Sequence, residues 1–132
     1  MARALLRGLV LATGGTASLA GCAGAGDGAA GGVIYLGADV EPVDAALFRF
    51  NVALQGGGAA EVETYARCAA AGYAQEKGFG FVRHLSTEVN ERGGIWRADA
   101  LYTISPGLPR GVKTIDAEVT VADCEDQGIP TA

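Results

Sequence analysis

Between Leu47 and Leu54 the chain alternates strictly, with Phe48, Phe50, Val52 and Leu54 on one side and Arg49, Asn51 and Ala53 on the other. A period of two is that of a strand with one face buried and one face wet. Gly56-Gly57-Gly58 ends the pattern, and from Ala59 to Lys77 the apolar positions change period: Val62, Tyr65, Ala66, Ala69 and Tyr73 fall on one side of a helix that Gly78 is placed to stop. The inner side of this helix is rich in alanine and includes Gly72, a composition that predicts close approach to a sheet, with Tyr65 and Tyr73 filling the gaps. Alternation resumes over Phe79 to Val89, Asn90 to Gly94 supplies turn residues, and Ile95 to Ile104 returns with Trp96, Ala98, Ala100, Tyr102 and Ile104 on one side. The two runs predict a long hairpin.

Pro106 and Pro109 bracket a loop, after which Ile115, Ala117, Val119 and Val121 read as a last strand leading to Cys124. The predicted order is β-α-β-β-β. One helix covering one face of a mostly antiparallel sheet of about four strands makes a two-layer α+β sandwich. Val33 to Leu36 is a further short apolar run, suited to an edge strand or to the point where a preceding tether docks, and residues 125–132 read as a frayed, flexible tail.

The first 32 residues follow a different logic. Arg3 and Arg7 precede the apolar stretch Leu9-Val10-Leu11-Ala12, and small residues lead to Leu19-Ala20-Gly21-Cys22. This is the order of a secretory signal, and Thr13 to Thr16 dilute it below the roughly 20 apolar residues of a membrane span. The tetrapeptide resembles the lipobox of bacterial lipoproteins. That resemblance implies a signal peptide over residues 1–21, cleavage before Cys22, a diacylglycerol thioether on Cys22 and a fatty acyl group such as palmitate on the new amino terminus. Two or three chains then anchor the protein to a membrane, each buried methylene adding about 0.8 kcal/mol. With alanine rather than aspartate at position 23, the resemblance further implies sorting to the outer membrane, facing the periplasm. Residues 22–32 carry little to bury and read as a tether with an r.m.s. span of roughly 17 Å, leaving a single domain over residues 33–124.

Composition narrows the partners. Removal of Arg3 and Arg7 leaves eight basic against fifteen acidic residues, a net charge near -7, which disfavours nucleic acid and anionic lipid. With Cys22 assigned to lipid, Cys68 and Cys124 remain. An oxidising compartment pairs them in a disulfide, and with no C-x-x-C and one histidine far from either cysteine, zinc is the poorer alternative.

Candidate chemistry is sparse. There is no phosphate-binding glycine motif and no nucleophile elbow; the mature serines are Ser86 and Ser105, and alternation sets Ser86 on the same strand face as His84. Glu61 and Glu63 suit the first turn of the helix, and Asp123, Glu125 and Asp126 lack the order of a calcium loop. Phe79, Phe81, Trp96 and Tyr102 are candidate walls of a ligand groove, although aromatics in strands more often form core. No catalytic, cofactor or metal site is expected. From Tyr65-x-x-Cys68-Ala69-Ala70 through Gly78-Phe79-Gly80-Phe81 to the terminal cysteine, the pattern resembles small uncharacterised proteobacterial envelope lipoproteins, a likeness of fold and location rather than of chemistry. The expected function is a lipid-anchored, non-enzymatic envelope protein that interacts with another protein or senses; the alternative is a module that binds a small molecule or lipid.

Overall fold

A computed structural model describes residues 32–105, 107 and 114–131. Cys22, the signal segment, most of the tether and the Pro106–Pro109 loop lie outside the described residues. The elements are β1 (Ile34–Pro42), β2 (Leu47–Gln55), α1 (Ala59–Glu76), β3 (Phe81–Arg92), β4 (Ile95–Ser105), β5 (Thr114–Asp116) and α2 (Ala117–Asp126). The fold is α+β, with five strands and two helices among the described residues where four and one were expected.

All strand pairings are antiparallel, in the order β1-β2-β4-β3-β5. Since β2 and β3 both run against β4, they are parallel to each other, and α1 is the crossover between them with β4 inserted in the gap. Register carries the alternation across the sheet: Phe48 faces Tyr102, Phe50 faces Ala100, Val52 faces Ala98 and Leu54 faces Trp96. These positions share the face under α1. Gly93 and Gly94, both at positive φ (62° and 83°), form the two-residue loop of the β3–β4 hairpin, a backbone that side chains with a Cβ rarely adopt.

Of the run Val33–Leu36, the residues from Ile34 onward open an edge strand. The largest departure lies at the other end of the chain. Only Thr114–Asp116 pairs, with Arg83 to Phe81; the Asp116 carboxylate then accepts from the Val119 amide at 3.0 Å and caps a helix. Ala117, Val121 and Cys124 are its buried positions, a helical spacing, while Val119 is 58% exposed. Alternation of apolar residues over 115–121 is also compatible with a helix that buries every third or fourth of them, and the cap decides between the two.

The expected tail is likewise ordered structure. Glu125 and Asp126 complete α2, and the amides of Gly128 and Ile129 bond back to Glu125 and Cys124. The same arrangement ends α1, where Gly78 and Phe79 bond back to Gln75 and Ala74. In both, a glycine with positive φ follows the last turn and the next residue, Phe79 or Ile129, packs on the core. The chain then crosses α1 at Gly72, where an added Cβ would lie 2.8 to 2.9 Å from Thr131. Gly72 therefore serves close approach of the C-terminal segment, not of the sheet.

Helix α1 is buried on two sides. Val62, Tyr65, Ala66 and Ala69 belong to the core over the sheet, while Cys68 is bonded to Cys124 of α2 across a Cα separation of 6.0 Å. The disulfide thus staples helix to helix, not helix to strand. It closes 56 residues of chain, which in the chain-entropy model stabilises the fold by about 4 kcal/mol.

Replacing both Cys68 and Cys124 by alanine should lower stability by about 4 kcal/mol, read from urea unfolding monitored at Trp96. Gly72→Leu should displace the C-terminal return and raise hydrogen exchange at the Ile129 amide well above its wild-type rate, with strand amides unchanged.

Candidate functional site

Between the first half of α1 and the β3–β4 hairpin lies a cleft of about 550 Å³, lined by Ala60, Glu63, Thr64 and Arg67 from the helix, His84, Thr87 and Tyr102 from the strands, and Ile115. The helical contributors recur every three to four residues and form one stripe beside the buried face. The strand contributors meet because of a bulge. β3 shifts register between His84 and Ser86, so that His84 faces Tyr102 while Ser86 faces Leu101. Leu85 is the extra residue and is 41% exposed.

This bulge overturns the expected pairing of His84 with Ser86. Beyond Leu85 the parity of the strand reverses, Ser86 passes to the opposite face, and Thr87 takes the place beside the histidine. His84 Nε2 and Thr87 Oγ1 are 2.7 Å apart. The imidazole also meets the Tyr102 ring edge-on, with centroids 5.1 Å apart. Tyr102 is 3% exposed. Burial pushes its phenol up to about 12, opposed by a smaller lowering from Arg67 and aided by a smaller raising from Glu63, so the hydroxyl remains a donor across the physiological range.

The other aromatics do not join this cleft. Phe79 and Trp96 pack against the core, and Phe81 sits at the β3 position opposite Ser105 and Asp116. Of the acidic residues, Glu61 lies in the first turn of α1, where it favours the helix dipole, and Glu63 reaches the cleft. Asp123, Glu125 and Asp126 ride on α2, and no group of three or more potential metal ligands occurs among the described residues. No helix of the described residues is long and apolar enough to cross a membrane. Arg67 and Thr87 were not singled out from the sequence. The Glu63–Arg67 spacing was the available signal for the first, while the second depends on a bulge that no residue type announces.

Among the described residues, the opposite face of the sheet carries no helix. Leu47, Arg49, Asn51 and Ala53 of β2 stand there in register with Thr103, Leu101, Asp99 and Arg97 of β4. Arg49 and Asp99 are diagonal neighbours, Nε to Oδ1 3.2 Å, each side chain more than two-fifths exposed; such a pair contributes about 0–1 kcal/mol. A depression of about 650 Å³ crosses this face beside β1, touching Leu36, Asp39, Asn51, Arg97 and Asp99. Leu36 lies at the β1 register shift between Tyr35 and Gly37 and is 48% exposed; Ile34 and Val43 are 55% and 51% exposed.

Fold and cleft define a small disulfide-stapled α+β domain, a split β-α-β with an added hairpin strand on one edge and a helix-capped short strand on the other. The chain belongs to the YNQ4 C-terminal domain family, whose pattern matches residues 35–128. It is 34% identical over 68 residues to the uncharacterized 26.9 kDa protein in the nqo8 5' region of Paracoccus denitrificans, a match covering 52% of this chain and 27% of that relative. The chain thus matches about a quarter of the relative's length. No solved structure matches.

The Tyr102 phenol sets an alkaline dependence. Its proton is held more tightly in the folded chain, up to about 12, than in the unfolded chain, near 10, so the folded state gains protons relative to the unfolded one between these values. Stability from this group is present below pH 10 and is lost as pH rises from about 10 towards 12. Tyr102→Phe should flatten the fall in urea midpoint between pH 9 and pH 11.5; a variant that falls in parallel with wild type contradicts the assignment.

Proposed function

We propose that this protein is a non-enzymatic, lipid-anchored domain of the bacterial cell envelope that docks a partner protein. The observation that carries the docking reading is the asymmetry of the sheet. Among the described residues both helices lie on one side, while the face they leave bare ends in an edge strand of nine residues that carries exposed Ile34 and Leu36 and is followed by exposed Val43. An edge strand offers unpaired backbone groups to an extended segment of another chain, and the exposed apolar side chains supply the contacts that add specificity. The occupant we infer is an extended strand of an envelope protein, added alongside β1.

Anchoring rests on the sequence. Leu19-Ala20-Gly21-Cys22 supports lipidation at Cys22, and Ala23 supports an outer-membrane position facing the periplasm. The Cys68–Cys124 disulfide agrees with an oxidising compartment. The acidic balance of the chain argues against nucleic acid as the partner.

A second reading, a module that binds a small molecule, is favoured by a separate observation: the cleft beside α1 gathers a guanidinium, a carboxylate, an imidazole and a phenol.

Photocrosslinkers placed at Leu36 and, as a control, at Glu118 on α2 should separate the readings in intact cells. The docking proposal expects a discrete adduct from Leu36 only, reduced at least severalfold by Ile34→Lys. Equal adducts from both sites, or none, refute it. Intact mass spectrometry of the membrane fraction should find an acylated chain beginning at Cys22, whereas Cys22→Ser should yield only an unprocessed, unacylated chain. An unmodified wild-type chain would remove the anchor.

A further inference from the structure

The wall of the cleft formed by α1 carries one charge of each sign. Glu63 and Arg67 stand four residues apart, where side chains on a helix are about 5–6 Å from one another at Cβ. Both are exposed, and the ion pair found among the described residues lies elsewhere, between Arg49 and Asp99. The facing wall adds further hydrogen-bonding side chains, Tyr102 and the His84–Thr87 pair. Ala60 and Ile115 supply apolar surface.

A ligand bearing only a negative charge gains at Arg67 and loses at Glu63, and a cation meets the reverse. A ligand bearing both charges gains at both, provided that its charges are separated by about one helical turn, roughly 5.4 Å. The ammonium and carboxylate of a free α-amino acid sit on the same carbon and are too close. A dipeptide, at about 3.3–3.6 Å per residue, spans the required distance. A volume of about 550 Å³ accommodates it.

We propose that the cleft between α1 and the β3–β4 hairpin binds a small zwitterion of dipeptide size, its carboxylate on Arg67 and its ammonium on Glu63. Arg67 offers a planar fork of donors matched to a carboxylate. Tyr102 and Thr87 are placed to bond the central amide, and the apolar lining meets the side chains. This inference rests on the small-molecule reading and names its ligand.

The chain has a single histidine, so the ring protons of His84 give one assignable pair of signals inside the cleft. Full-length protein in detergent micelles is titrated with L-alanyl-L-alanine, with its N-acetyl derivative and with its C-terminal amide. The free dipeptide should shift the His84 signals saturably and bind at least about tenfold more tightly than either capped form, the scale of one charge-assisted contact. Arg67→Gln should abolish the preference for the free dipeptide over its amide, and Glu63→Gln the preference over the N-acetyl form. Both side chains are exposed, so neither change disturbs the core. Affinities within twofold across the three probes, or preferences that survive both substitutions, overturn the proposal. Native mass spectrometry separates this failure from that of the broader reading: a retained ligand of another class spares small-molecule binding and removes the zwitterion, whereas no retained ligand and no response to any probe remove both.

Discussion

The thinness of the core is the constraint on which the rest depends. Of the twenty buried apolar residues among those described, eight are alanine, and the large buried side chains are confined to β2, β4 and a few positions beside them. Alanine contributes little apolar area, so helix and sheet gain by approaching closely rather than by interlocking large groups. Close approach leaves α1 with a second side that also must be covered. The cover is α2 and the C-terminal return, which present only Ala117, Val121, Cys124 and Ile129 to the interior. So small a contact is held by a covalent bond. The Cys68–Cys124 link is thus less an addition to a finished fold than the tie that keeps the second layer two helices wide.

Local periodicity made the first two-thirds of the domain legible. β2, α1 and the β3–β4 hairpin have long patterns with glycine at their ends, and each forms close to where its pattern places it, with β3 beginning at Phe81 rather than Phe79 and running on to Arg92. The last element departs from its apparent pattern for a physical reason. Ile115, Ala117, Val119 and Val121 alternate, yet Ala117, Val121 and Cys124 are also a helical stripe, and Asp116 before them with Gly128 after them are the cap residues that favour the helix. The unusual burial of α1 pointed the same way, since Cys68, Ala70 and Ala71 lie outside the stripe that faces a sheet and still exclude water. A helix apolar around most of its circumference needs a second neighbour.

The cleft was less legible than the fold. Tyr102 stood out as an aromatic and His84 as the single histidine, but their neighbours were set by a break in strand parity. Alternation assigns each residue to a face by counting, and one extra residue reverses the count for everything beyond it. Nothing in the sequence His84-Leu85-Ser86-Thr87 marks the bulge, since Leu85 is an ordinary strand former. Both register shifts, at Leu36 and at Leu85, leave a leucine at the surface, so the sheet gives up apolar burial at two places to keep the residues beyond them in step with the neighbouring strand.

That trade also governs how each strand responds to a change in its length. A residue added to a regular strand is costly, because every side chain beyond it changes face. A bulge confines the disturbance to the added residue itself. With Leu85 turned out to solvent, His84 stands opposite Tyr102 and Thr87 opposite Ala100, the places they would hold in a strand one residue shorter. Leu36 stands in the same relation to Tyr35 and Gly37 on β1. Each leucine is thus the one residue of its strand whose removal leaves every other side chain on its present face, so shortening the chain by one residue at either point keeps the cleft furnished as it is and the turn at Gly93-Gly94 in place.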